Sequence, residues 1–264
     1  MTTNDQSNGE SNGHTSEQAD AIGRLREVHP WPNSRPDAPV SQWGWGVGGA
    51  DLLRSAIPDH AATIVEIGSL LGGSARFFCE HWPNVHVVCV DPWVDVDDPA
   101  DRPFLEHAPE LTSVILEADG IHRVFLASNW ELRDRITPIR AFSPEGLVPV
   151  HAAGIEPDVV YVDGSHVYED VLADIVTARA LFPDALLCGD DWNWPGVHQA
   201  VRYVADNRGG SIRTEDNTWV LDLPTSSGRQ SARSAHSTGR AARSLPVRVA
   251  EGAYRGVLAG APRS

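Results

Sequence analysis

Residues 157–191 read PDVVYVDGSHVYEDVLADIVTARALFPDALLCGDD. Two short apolar runs, 159–162 and 186–188, flank a stretch in which Val171, Leu172, Ile175, Val176 and Ala178–Leu181 recur at helical spacing. Each run stops at acid: Asp163 after the first, Asp190 and Asp191 after the second. A run of three or four apolar residues without polar alternation suits a strand buried on both faces. The stretch therefore reads as strand, crossover helix, parallel strand, with three carboxylates carried to one edge.

The same alternation extends in both directions. Strands are predicted at TIVEIG (63–68), VHVVCVD (85–91) and ITPIRAF (136–142), and helices at 74–82, 121–134 and 196–207. SIRTEDNTWVLDL (211–223) reads as two strands around the turn EDN. The predicted fold is α/β and Rossmann-like: a doubly wound, mostly parallel seven-stranded sheet with a C-terminal antiparallel hairpin strand. Ligands of such sheets sit at the carboxyl ends of the strands. The residues there are Glu66–Ile67–Gly68, Asp91, Phe142–Ser143, Asp163 and Asp190–Asp191.

Composition sets limits. The 264 residues carry a net charge of −15, which argues against nucleic acid as a partner. No run of 18 apolar residues exists, so no membrane span is expected. Three scattered cysteines, Cys79, Cys89 and Cys188, fit small core residues in a reducing, cytoplasmic setting. Residues 1–35 are polar and aperiodic and read as a disordered lead. Residues 36–223 form the predicted domain. Residues 224–264 hold seven arginines against the single acid Glu251 and read as a disordered Arg/Ser-rich tail.

The first loop, VEIGSLLGGS (65–74), turns on Gly68, Gly72 and Gly73. It lacks the middle glycine of a dinucleotide G-x-G-x-x-G turn. With Asp91 ending the next strand, where a carboxylate can accept from both ribose hydroxyls, the pair points to an adenosine-type cofactor. At the far edge, Asp163, Asp190 and Asp191 would repel one another unless protonated or joined by a cation. Hard oxygen donors favour Mg2+ or Mn2+ over zinc; the plainer reading is that Asp191 or Ser165 caps a helix. His166, three residues past Asp163, is a candidate general base or a capping residue.

The stretch EIGSLLGGSARFF resembles motif I of class I S-adenosylmethionine-dependent methyltransferases. Together with VDGSH and GDDW it is similar to the metal-dependent O-methyltransferase group, which includes catechol and macrolide-sugar O-methyltransferases. The resemblance spans about residues 45–223. It implies S-adenosylmethionine held by Glu66, Gly68, Gly72, Ser74, Asp91, Phe142, Ser143 and Asp163. Gly68 and Gly72 would face the methionine part, Asp91 the ribose, and Phe142 and Ser143 the adenine. It implies a divalent cation on Asp163, Asp190 and Asp191, and His166 as base. The expected reaction is methyl transfer to a hydroxyl of a small-molecule acceptor, a sugar or vicinal diol of a natural product, with a catechol-type phenol next. A non-catalytic role and a cephalosporin-hydroxylase-like role on the same fold are the alternatives from other classes. A homo-oligomer is compatible with the sequence. Residues 92–120 are long for a connection and are expected to form a lid, and Trp43, Trp45, Trp93, Trp192 and Trp194 are candidate aromatic surfaces.

Overall fold

The computed structural model describes residues 8–41, 47–95, 105 and 108–224. Seven strands form one sheet: β1 (Thr63–Ile67), β2 (His86–Asp91), β3 (Ile136–Arg140), β4 (Val159–Val162), β5 (Leu186–Gly189), β6 (Ser211–Glu215) and β7 (Thr218–Asp222). Their order is β3-β2-β1-β4-β5-β7-β6. The first five pair in parallel, and β7 joins β5 antiparallel with β6 at the edge. This is the predicted fold, with seven strands and the closing hairpin.

Eight helices surround the sheet among the described residues: α1 (Asn8–Val28), α2 (Ala50–Ala56), α3 (Gly73–His81), α4 (Thr112–Ile115), α5 (Gly120–Ser128), α6 (Leu147–Ala152), α7 (Tyr168–Leu181) and α8 (Pro195–Arg208). Side chains alternate between two cores. Ile64, Val87, Tyr161 and Cys188 face α2, α3, α4 and α5, whereas Val65, Val88, Val160 and Leu187 face α1, α6, α7 and α8. Both faces of β1 are covered, which is why every residue of TIVEI is buried. All three cysteines are free and buried. No helix among the described residues is long and apolar enough to cross a membrane.

The predicted disordered lead is not what residues 8–35 form. Ala21 and Leu25, one turn apart on α1, are buried against the second core. Such burial contributes about 1.5–3 kcal/mol for a leucine. Gln18 and Arg24 donate to the carbonyls of Glu156 and Ala153, and the Trp31 indole donates to Ile136 at 2.8 Å. A few small or polar anchors in a polar sequence give too weak a periodic signal, so the lead reads as unstructured. Helices α2 and α6 are likewise too short to show a period. Residues 1–7, the tail from 225 onward, and Trp43 and Trp45 lie outside the described residues. So do positions 96–104 and 106–107 of the expected lid. Of the rest of that segment, Trp93, Leu105, Leu111 and Ile115 belong to the first core, whereas Val94 and Leu116 are exposed.

The strand order reverses between β1 and β4, and that switch point places the crevice. β1 ends at Gly68 (φ 84°), where a Cβ would lie 2.2 Å from the Asp163 carbonyl oxygen. Glycine is required there to let the two strand ends meet. α8 begins with Pro195 in its first turn and stops at Gly209 in the left-handed conformation.

Candidate active site

The loops after β1, β2, β4 and β5 form one rim. In the first loop, Asp91 accepts from the amides of Ser69 (3.0 Å) and Leu70 (2.9 Å) through Oδ2 and from Trp93 (2.7 Å) through Oδ1. The acid expected at the ribose thus also holds the glycine turn in shape. The structure gives two expected cofactor residues different surroundings. Glu66 is fully buried beneath the turn, where the Ser69 hydroxyl donates to Oε2 and the Cys89 thiol lies 3.4 Å away. Burial pushes its carboxyl up, against the pull of Ser69, Ser74 and Cys89. Gly72 is buried and turned toward Asn129, whose side-chain nitrogen would lie 2.2 Å from a Cβ there. Ser74 is 8 % exposed in the first turn of α3.

On the third strand end Phe142 is 45 % exposed, and the Ser143 hydroxyl donates to Asp174 Oδ2 at 3.1 Å. Asp174 is buried, and its carboxyl is pushed up to about 7 by burial, offset by the Ser143 bond and reinforced by Asp170 and Glu145. Asp174 was not among the expected site residues; with Glu169 and Asp170 it reads as part of a solvated helix face, but the structure buries it.

The acids expected to bind metal do converge. Val162 pairs with Gly189, so Asp163 and Asp190 leave adjacent strands at matching positions. Burial raises the Asp163 carboxyl well above its usual range, and Asp190, Asp191, Glu66 and Asp91 add to the rise. Asp190 is raised as well, by burial first and by Asp191. Yet no group of three or more His, Cys, Asp or Glu among the described residues is placed to hold a metal ion. The trio is corrected on this point. Asp191 adopts a left-handed backbone (φ 63°), and its two oxygens are engaged elsewhere. Oδ2 is 2.5 Å from His166 Nε2, and Oδ1 accepts from Asn217 Nδ2 at 3.0 Å. Asp190 is tied from behind, its carbonyl accepting from the Trp219 indole at 2.9 Å. The donor set suits a hard cation, but the arrangement is not a three-carboxylate cage.

His166 is held from two sides. Besides Asp191, its ring stacks on Trp194 with centroids 4.3 Å apart and planes 14° off parallel. Trp194 is half exposed, so the pair forms part of the outer wall. Trp192 is partly buried and packs on His198, which accepts from Arg202 and serves the surface of α8. Trp93 is buried, its indole donating to the Leu70 carbonyl at 2.8 Å, and is core rather than wall. Asn217 was missed because a turn residue that reaches a distant loop carries no local signal.

Residues 65–192 match the family model of a methyltransferase domain. The matched region runs from β1 to the loop after β5 and contains every rim residue named above except Trp194, His198, Arg202, Asn217 and Trp219. No curated protein matches the sequence. Solved structures similar to this chain include the precorrin-6y C5,15-methyltransferase of Geobacter metallireducens, at 12 % identity and a TM-score of 0.47, covering 74 % of this chain and 100 % of that one. Others are CalS11, a TDP-rhamnose 3'-O-methyltransferase of calicheamicin biosynthesis (15 %, 0.42, 84 % and 96 %) and the methyltransferase PaMTH1 of Podospora anserina (14 %, 0.44, 85 % and 100 %). At these identities nothing about the chemistry of the present chain follows from them.

Proposed function

We propose that this methyltransferase domain uses S-adenosylmethionine to methylate a hydroxyl oxygen of a small molecule, a sugar or vicinal diol of a natural product, with His166 as base. The observation that carries the reading is the position of His166: on the rim beside the switch point, clamped by Asp191 and Trp194, and open to solvent on its outer side. The glycine turn fits the cofactor, because Gly68 leaves the backbone bare where the strand ends meet. The N-terminus of α3 is a favourable place for the methionine carboxylate. Bound there, S-adenosylmethionine supplies a methyl group already activated on a sulfonium, so no protein nucleophile is needed.

The chain's own residues then act on the acceptor. His166 accepts the hydroxyl proton as the oxygen–carbon bond forms and the carbon–sulfur bond breaks. General-base assistance of this kind contributes about 10²–10⁴-fold. The clamped ring fixes the direction of proton transfer, and the Trp194 face suits the flat underside of a sugar or an aromatic ring.

Assistance by Mg2+ or Mn2+ is the second reading. Its support is the crowding of Asp163 and Asp190 on adjacent strand ends, whose mutual repulsion a cation would relieve. Incubation with labelled S-adenosylmethionine and panels of vicinal diols and catechols, with and without a chelator, tests both readings. S-adenosylhomocysteine with a methylated diol supports the first, and loss of turnover on chelation supports the second. Methylated catechol instead moves the acceptor class, and no S-adenosylhomocysteine from any acceptor sinks the reading.

A further inference from the structure

The β6–β7 hairpin turn reaches across to the loop after β5 through one residue. Asn217 places its backbone carbonyl and both polar atoms of its side chain on that loop. Its carbonyl accepts from Trp192 N at 2.8 Å, its Oδ1 accepts from Asn193 N at 3.0 Å, and its Nδ2 donates to Asp191 Oδ1 at 3.0 Å. The last two use an acceptor and a donor on separate atoms of one short side chain, which the amide provides. The other oxygen of Asp191 meets His166 Nε2 at 2.5 Å, and Trp194 of the same loop stacks on the imidazole.

We infer that Asn217 is a positioning residue: it orients Asp191, and Asp191 holds the His166 ring with Nε2–H directed inward and Nδ1 as the proton-accepting atom. The inference rests on His166 being the base of the proposed methyl transfer. An ionised carboxylate only accepts, so the proton of the short contact belongs to Nε2 and the lone pair lies on Nδ1. No described residue makes a hydrogen bond to Nδ1. Asp191 is thereby assigned to the base and not to a metal cage. The arrangement also gives the antiparallel hairpin a task beyond closing the sheet.

The test has a readout without acceptor and one with it. In the ligand-free protein, a strongly downfield proton on His166 Nε2 is expected in nitrogen-15-labelled spectra, assigned by its loss in His166→Gln. It should disappear or move upfield in Asn217→Ala, Asn217→Asp and Asp191→Ala. With S-adenosylmethionine and an acceptor found from the panel, Asn217→Ala should lower kcat about tenfold or more while leaving cofactor affinity within about twofold. Asn217→Asp should fall further, because a second carboxylate would face Asp191. An Asn217→Ala protein with the wild-type Nε2–H signal and wild-type kcat overturns the inference. If Asn217→Ala does not fold, Asp191→Ala carries both measurements. If the wild type methylates nothing, the methyltransferase reading fails while the spectra still decide the positioning of His166.

Discussion

A Cβ on Gly196 would lie 2.2 Å from the carbonyl oxygen of His166, so the first turn of α8 is pressed against the loop after β4. This contact is what brings Trp194, two residues earlier, over the imidazole. Gly196→Ala would push the two loops apart at a backbone atom that cannot rotate away. A cost of about 1–3 kcal/mol is expected, as for other overpacked sites. Thermal unfolding should show it as a lower Tm. Turnover should fall more than cofactor affinity, because Gly68 and α3 lie on another loop.

Removing the base tests the chemistry directly. His166→Gln keeps a polar side chain of similar reach but cannot take up a proton at neutral pH. Turnover should drop about 10²–10⁴-fold. Calorimetric titration with S-adenosylhomocysteine should be unchanged within about twofold. A loss of cofactor binding equal to the loss of turnover would place His166 in the cofactor site instead.

Strands β1, β2, β4 and β5 were legible because each is a short apolar run closed by an acid or glycine, and both faces of the sheet are covered there. His166, Asp163 and Asp190 were legible because the strand-end rule needs only the strand positions. What lay beyond the sequence is pairing at a distance. Asp191 reads as the third member of an acid cluster until Asn217, 26 residues on, is seen to hold one oxygen and His166 the other. Glu66 reads as a cofactor acid, but strand alternation turns it beneath the loop, opposite Cys89 and Tyr161 on the neighbouring strands. The same holds for α1, whose few buried residues acquire meaning only against the finished core.

Gly68 is the residue on which cofactor binding should depend most. Its φ of 84° is disfavoured for any side chain, and the Asp163 carbonyl and Gly164 Cα occupy the space a Cβ would need. Gly68→Ala should weaken S-adenosylmethionine binding at least about tenfold and lower Tm. Titration calorimetry beside thermal unfolding separates the two effects. A folded Gly68→Ala protein with wild-type affinity would remove the turn from the cofactor site.

Asp174 should make stability depend on pH near neutrality. Its carboxyl is held up at about 7, chiefly by burial, and Oδ1 has no hydrogen-bond partner among the described residues. A group whose pKa is higher folded than unfolded binds its proton more tightly in the native state. Its contribution is complete below the unfolded value, about 3.9, and is lost as pH rises through the folded value. Between those limits the native state loses about 1.4 kcal/mol per pH unit from this group. Asp174→Asn removes the titration and leaves an amide able to meet Ser143. Urea unfolding at about pH 5 and about pH 8 should show the variant gaining on the wild type at the higher pH. The Ser143 bond ties this carboxyl to the loop after β3, so loosening of that loop in the wild type should follow the same titration. Lower amide protection at residues 142, 143, 145 and 146 at the higher pH in the wild type but not in Asp174→Asn, with rates corrected for the intrinsic rise of exchange with pH, would confirm the link. Equal pH dependence in the two proteins would place the titration elsewhere.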